Sequence, residues 1–514
     1  MKKKNLVIGT IILTIATTLT RLIGFIFRIY LSNVLGAEGI GLYQLILSFY
    51  FLMVTLSISG IRTAVSKIIS EQIALKNYSN AKHAMHQSIG LSFFTGLLAA
   101  GLTFYLANYV GVNVLNDERT VLALYFLVPS LPLLAISSCI KGYFYAVGKV
   151  IKPASSQVLE QIIRIFVIFS IMDYYLPKGL GYGCAAVAIG MTAEELFSLF
   201  YIWILYIFDK KPYSKKAKTK HDNMIYSILR VSVPISATSY MNSILRMVEN
   251  VLIPARLILH GVSSVDAMSL YGIVKGMVLP LLFFPSSILT SLSSILIPSV
   301  AGDNAVSNEK KVTYTLSKVL HFTALSGILV VSVFISFPEE IGMIVYNNPL
   351  VGNMLKTMTF ICPFMYLNMV ISSMLNALGE QVASFKINII ESILKISIIY
   401  YFVPIYGFNA YLFALFITTA LNTLMYLFRL LKISCIVFDI SNWIFKPLFA
   451  SILASFIGRY IYKLFLTINN SVIMVLISSI IILSLSYLMF LIIFKSVNTI
   501  SIKQVKKIRF RMTE

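Results

Sequence analysis

The chain has 514 residues, 58% of them apolar and only 12% charged, a charged share about half that of an ordinary soluble domain. That balance excludes a soluble globular enzyme and sets the expectation of an integral membrane protein. The net charge of +22 does not point to nucleic acid, because the cations concentrate at Lys2 to Lys4, in the stretch Lys210 to Lys220, and from Lys495 to Arg511, as the positive-inside rule expects of cytoplasmic segments.

A membrane helix needs about 20 apolar residues. On that criterion, spans are expected near 6–31, 40–66, 84–110, 121–147, 154–176, 181–208, 224–257, 268–300, 313–337, 355–378, 384–404, 407–431, 443–465 and 472–495. The reading is an all-α membrane protein of about fourteen helices, with both termini cytoplasmic. The start Met-Lys-Lys-Lys-Asn is read as the head of helix one rather than as a signal peptide, since Arg21 and Arg28 follow and no small-residue cleavage site does. Cys139, Cys184, Cys362 and Cys435 stand singly in apolar helices and read as buried hydrophobes. Trp203 and Trp443 read as belt residues near cytoplasmic ends.

Two segments 231 residues apart share landmarks in the same order: Pro132, Gly148, Glu160 and Arg164, then Pro363, Gly379, Glu391 and Lys395. Leu42-Tyr43 likewise matches Leu270-Tyr271, with Arg28 and Arg256 each 15 residues before the tyrosine. A repeat of six helices inserts twice in one orientation, giving lobes related by a pseudo-two-fold along the membrane normal. The expected organisation is an N-lobe over 1–208, a basic cytoplasmic linker over 209–223 with six lysines, a C-lobe over 224–432, two further helices over 433–497 and a basic cytoplasmic tail over 498–514. Two lobes around a central cleft is the plan of alternating-access transporters, although duplication alone also builds a stable bundle.

Embedded charges are the candidate functional residues. A helix-centre arginine costs roughly 2.5 to 3.5 kcal/mol to insert, so Arg21, Arg28, Arg246 and Arg256 are expected to face water, protein or an anion. Arg21 and Arg28 share one face of helix one; a cavity-facing anion site and snorkelling to the interface are the two readings. Arg256 is the repeat mate of Arg28, whereas Arg246 has Glu249 three residues on as a possible ion-pair partner. Arginine's planar, permanently charged fork suits phosphate, and a pyrophosphate suits several of them, with Lys275 either joining or meeting headgroups.

Glu160 with Arg164, and Glu391 with Lys395, have the i,i+4 order that favours a helix and are read as self-neutralising pairs, structural or gating. Glu194 and Glu195 are adjacent mid-span carboxylates without a cation nearby on their helix. They are either a proton or sodium site or partners of another helix. No metal cluster or cofactor is expected, and the coupling source is open among proton, sodium and membrane potential. The near miss Gly142 to Lys149 is not a phosphate loop, because Val150 stands where Ser or Thr is required, and no HExxH or GxSxG occurs. The chain is therefore not read as an enzyme.

Thr20-Arg21-Leu22-Ile23-Gly24-Phe25 with Arg28, Gly39-Ile40-Gly41-Leu42-Tyr43 and Ala64-Val65-Ser66-Lys67 with Glu71 carry a family resemblance. So do Lys141-Gly142-Tyr143-Phe144 and Pro153, followed by Ser156-Gln157-Val158-Leu159-Glu160-Gln161 and Arg164. Over nearly its whole length the chain resembles the stage V sporulation protein B group of polysaccharide exporters, in the superfamily that includes multidrug and toxin extruders and lipid II flippases. Where lipid II flippases have an Arg-Asp pair near this part of helix one, Phe27-Arg28 stands here. The resemblance implies a two-lobed flippase that moves an undecaprenyl-pyrophosphate-linked oligosaccharide or peptidoglycan precursor across the cytoplasmic membrane, for cell-wall or spore-cortex synthesis. The partners then expected are that lipid, membrane lipids and cell-wall synthases, with no nucleic acid. Two alternatives are a cation-coupled multidrug exporter of the same architecture, which needs Glu194 or Glu195, and a non-transporting scaffold for cell-wall synthases.

Overall fold

A computed structural model of the protein describes residues 3–58, 60–209, 224–290, 300, 302, 309–434, 436, 439–468 and 471–496, with side chains from Ala16 onward except at Glu309. Most of the linker, the tail and Cys435 lie outside the described residues. Every regular element among them is helical. The chain forms two compact units, residues 1–272 and 273–514.

The first unit begins with α1 (Lys3–Ile58), broken where Gly36 adopts φ 70°, a left-handed conformation that favours glycine. It continues through α2 (Ile61–Ala74), α3 (Tyr78–Tyr109), α4 (Val121–Leu127), α5 (Ser130–Ala146), α6 (Ile151–Tyr175), α7 (Leu180–Asp209), α8 (Met224–Leu259) and α9 (Ser264–Gly272). Small residues let backbones approach, as is usual between membrane helices. A Cβ on Gly190 of α7 would lie 2.4 Å from Ile168 of α6, and one on Gly272 of α9 would lie 2.0 Å from the Ala37 carbonyl of α1. The core of this unit gathers Leu42, Ile46, Phe49 and Tyr50 of α1 with Leu124, Leu127, Ile168, Met172 and Ala185 to Ala188.

The second unit contains α10 (Leu279–Phe283), α11 (Glu309–Ser336), α12 (Pro338–Tyr346), α13 (Pro349–Met358), α14 (Cys362–Ala377), α15 (Gln381–Tyr406), α16 (Phe408–Ile433), α17 (Lys446–Ile468) and α18 (Val472–Ile493). The pair α17 and α18 docks on α11: Tyr487 Oη donates to the Leu325 carbonyl at 3.1 Å, and Arg459 pairs with Glu340 just beyond α11. Exposed Ile473, Met474, Ile477, Ile481, Leu485 and Leu488 give α18 an outward apolar face suited to lipid.

By length and apolarity, eleven described helices can cross a membrane, or twelve if the pair Glu118–Leu127 and Ser130–Ala146, bent by 43°, is one span. Fourteen were expected. The stretch Ala16–Ala74 enters that count once although it is 59 residues long, and α8, with Arg230, Arg246, Glu249 and Arg256, does not enter it. Cys139, Cys184 and Cys362 are buried free thiols. Trp203 is partly exposed, but Trp443 is buried and stacks on His321 with ring centroids 5.5 Å apart; packing on α11, rather than the interface, claims it.

The repeat leaves matching marks within each unit. Gly148 and Gly379 both turn left-handed, at φ 72° and φ 87°, where α5 and α14 end. Pro132 sits against Gly96 and Pro363 against Gly327, so the same glycine–proline contact recurs at the 231-residue offset.

Candidate functional site

The polar interior of the first unit lies where α6 packs on α7, with α1 and α5 alongside. Glu160 and Arg164, one turn apart on α6, are expected to pair with each other. They do not. Glu160 Oε1 instead accepts from Lys141 Nζ of α5 at 2.5 Å, from Ser198 of α7 at 2.5 Å and from Ser156 at 2.9 Å. Arg164 turns to α7 and grips Glu194 through Nε and Nη2, both at 2.6 Å. Interhelical packing outcompetes the local spacing here because each partner on the neighbouring helix offers a better charge-assisted hydrogen bond inside a low-dielectric interior. In the second unit the pair closes as expected, Lys395 on Glu391 at 2.5 Å. Its α14 has Ser372 at the repeat position of Lys141, so there is no cation there to compete.

Glu195 follows Glu194 into the interior but has a different fate. It is 8% exposed, and its Oε2 has no hydrogen-bond partner among the described residues. Tyr50 of α1 lies in its field, with the phenol bonded to Ser130 at 2.9 Å.

The arginines occupy another part of the same unit. Arg28 on α1 is half-buried, beside buried Phe27, and acts on the hydroxyl of Tyr43, which also feels Arg164 and Glu194. Among the described residues, no carboxylate pairs with Arg28. Arg21 is exposed on α1, Arg246 is exposed on α8 and Arg256 is half-buried near the end of α8. α8 is held to α1 by Thr55 with Ser243 at 2.8 Å and by Tyr240 Oη on the Leu56 carbonyl at 3.3 Å. Lys275 belongs to the second unit, half-buried in a π-helical turn at Ile273–Val278.

A helical membrane fold with an arginine-bearing α1 and a buried ionic cluster can now be set beside known proteins. The family described as "Polysaccharide biosynthesis protein" matches residues 6–302, more than half of the chain. The chain belongs to that family. It is 28% identical to the stage V sporulation protein B of Bacillus subtilis (strain 168) over 404 residues, 78% of each chain. It is 26% identical to the lipid II flippase MurJ of the same organism over 210 residues, 38% of each. Among solved structures, the lipid II flippase MurJ in an inward closed conformation has a TM-score of 0.67 at 19% identity, covering 94% of this chain and 98% of that one. An inward-facing multidrug resistance transporter of the MATE family has a TM-score of 0.64 at 15% identity, covering 80% and 94%. These likenesses establish the fold.

Several charged residues of this polysaccharide biosynthesis family member escaped the sequence reading. Lys141 stands in an apolar helix as the arginines do, and the same cost of insertion would have flagged it. Asp209, read as the first residue of the linker, is the last of α7. It is buried with Lys149, Lys152 and the Tyr143 hydroxyl around its carboxylate. Arg119, between α3 and α4, binds Asp117 and reaches Glu38 at 2.7 Å, two residues past the break in α1. Glu380 with Arg429 is a further pair, in the second unit.

Proposed function

We propose that this chain is a flippase that moves an undecaprenyl-pyrophosphate-linked oligosaccharide or peptidoglycan precursor across the cytoplasmic membrane by alternating access, in the service of cell-wall or spore-cortex synthesis. The observation that carries the reading is Arg28: a half-buried cation in an apolar helix, with no carboxylate among the described residues to neutralise it. Retaining such a charge in a membrane helix is costly unless it faces water, protein or an anion, and of these an anion matches the guanidinium fork through its phosphate oxygens. Within the first unit, Arg21, Arg246 and Arg256 are the further cations this reading assigns to a pyrophosphate. The names of the relatives, a sporulation protein and a lipid II flippase, support the same class of substrate.

In this reading both termini are cytoplasmic, the lobes are 1–208 and 224–432, the basic linker that follows Asp209 joins them, and cell-wall synthases receive the product. No catalytic step is assigned.

The test is reconstitution of the purified protein in vesicles with a labelled undecaprenyl-pyrophosphate oligosaccharide, followed by an impermeant enzyme outside. The wild type should expose the label, and Arg28→Ala with Arg256→Ala should abolish exposure while leaving insertion intact. Full transport by the double variant would remove the arginine site. Inert vesicles that instead take up a cationic dye along a gradient would favour a cation-coupled multidrug exporter, the reading that the similarity of fold to a MATE transporter supports.

A further inference from the structure

We infer that Glu195 is a one-proton carrier built into the first unit, and that its neighbours Glu194 and Glu160 are not. The inference rests on the transporter reading above only for what the proton drives.

The argument is a charge census of the buried cluster. Five ionisable groups share the space between α5, α6 and α7: Lys141 and Arg164, Glu160, Glu194 and Glu195. Two cations therefore face three carboxylates. Lys141 is spoken for by Glu160 at 2.5 Å, and Arg164 by Glu194 at two points of 2.6 Å. Glu195 is the surplus. Its Oε2 is sealed from solvent and has no donor among the described residues. A carboxylate in that position would leave the cluster with one uncompensated buried charge, which a low-dielectric interior strongly disfavours. One added positive charge makes the cluster neutral.

Among the described residues, the neighbouring elements give Glu195 neither an ion pair nor a donor for its Oε2. α1 faces Glu195 with the phenol of Tyr50, which must donate to Ser130, since the Ser130 hydroxyl is itself committed to the Leu127 carbonyl at 2.6 Å. Arg28, also on α1, makes no ion pair with Glu195 among the described residues. α4 contributes Tyr125 alone among titratable groups, and that side chain is exposed. Arg62 of α2 keeps its charge near Glu160, with which it shares Tyr145, but it is bonded to Ser138 at 2.8 Å and donates nothing to Glu195.

A proton suits this pocket because it needs no shell of ligands. Most of the neighbouring oxygens are engaged: Glu160 Oε1 by three donors, both oxygens of Glu194 by Arg164, and the Ser130 hydroxyl by Tyr50 and the Leu127 carbonyl. A sodium ion would have to displace several of these bonds and sit in the field of Lys141 and Arg164. Adding or removing the proton toggles the interior of one unit between neutral and singly negative, and such a toggle biases helix packing without any group leaving its ion pair.

The experiment is infrared difference spectroscopy of the full-length protein in lipid, between acidic and alkaline buffer, for wild type, Glu195→Gln, Glu195→Asp and Glu194→Gln. The expected result is a protonated-carboxyl band lost on alkalinisation in the wild type, absent in Glu195→Gln, shifted in Glu195→Asp and kept in Glu194→Gln. A band that persists in Glu195→Gln, that disappears in Glu194→Gln, or that answers to sodium rather than pH overturns the assignment. So does a wild type without such a band. This readout needs no substrate. If the band behaves as expected while wild-type vesicles fail to move the lipid, the substrate reading fails and the proton site stands. Where wild-type vesicles do move it, Glu195→Gln should still equilibrate the lipid but no longer respond to an imposed pH gradient; an unchanged response removes the coupling role.

Discussion

Arg164 on α6 and Glu194 on α7 form a two-point ion pair, Nε to Oε2 and Nη2 to Oε1, both at 2.6 Å. The glutamate side chain is 4% exposed, so removing the arginine alone strands a carboxylate in the interior. Breaking one side of such a pair costs about 3 to 5 kcal/mol, whereas replacing both partners with apolar residues is often neutral. Arg164→Leu should therefore lower the denaturation midpoint in detergent sharply, and Arg164→Leu with Glu194→Leu should recover most of the loss. Equal losses in the single and double variants would mean that the cost comes from the missing pair itself and not from a stranded carboxylate.

The approach of α1 to α9 makes a second prediction with a sign contrast. A Cβ on Gly41 would lie 2.2 Å from the Met268 carbonyl, and one on Gly272 would lie 2.0 Å from that of Ala37. Backbone atoms cannot swing aside as a flexible side chain can, so Gly41→Ala and Gly272→Ala should each destabilise by more than the ~1 kcal/mol typical of point substitutions. On α3, a Cβ at Gly90 or Gly101 meets nothing within 4 Å. There the helix propensity of alanine prevails, and Gly90→Ala and Gly101→Ala should raise stability by up to about 1 kcal/mol. Thermal denaturation of the four variants under one detergent condition checks both signs.

What could be read from the sequence divides along the range of the interactions. The all-helical membrane class was legible because long apolar runs report it directly, and the repeat was legible because Gly148 and Gly379 each fill a left-handed turn that few other residues tolerate. The Glu391–Lys395 pair was legible because both groups stand on one helix face. The partners of Glu160 and Arg164 were not, since Lys141 and Glu194 reach them only once α5 and α7 are packed, and local spacing says nothing about which distant cation wins. The span count fell short of the expected fourteen for a related reason: α8 carries so much polar character that length and apolarity alone pass over it.

Arg28 yields a prediction that separates charge from geometry. With no carboxylate partner among the described residues, it contributes no ion pair to stability, so Arg28→Ala should denature close to wild type. On the proposed function, Arg28 hydrogen-bonds the pyrophosphate; such bonds to a charged group are worth about 1.5 to 3 kcal/mol, so Arg28→Ala should lose roughly 10- to 100-fold in affinity for undecaprenyl pyrophosphate. Arg28→Lys keeps the charge but not the fork, and should fall between the two. Titrating the lipid against the three proteins in one detergent orders them.

At the end of α7, Asp209 is the hub of a cluster whose members are not equivalent. Its carboxylate is 5% exposed and accepts from Lys149, from Lys152 at 2.9 Å and from the Tyr143 hydroxyl at 3.2 Å. The lysines are 45% and 26% exposed, and each leaves the other in place when removed. Lys149→Ala and Lys152→Ala should therefore each cost less than about 1 kcal/mol, in the range of partly solvated ion pairs, and the cost should shrink as salt is added. Asp209→Asn removes the shared anion and leaves two lysines without their partner, so its cost should exceed the sum of the two single lysine variants. Because both lysines serve one carboxylate, the double lysine variant should also depart from additivity, by about 0.5 kcal/mol or more. Strictly additive losses in a double-mutant cycle at low salt would show that the two lysines act independently of Asp209 and that the cluster is no hub.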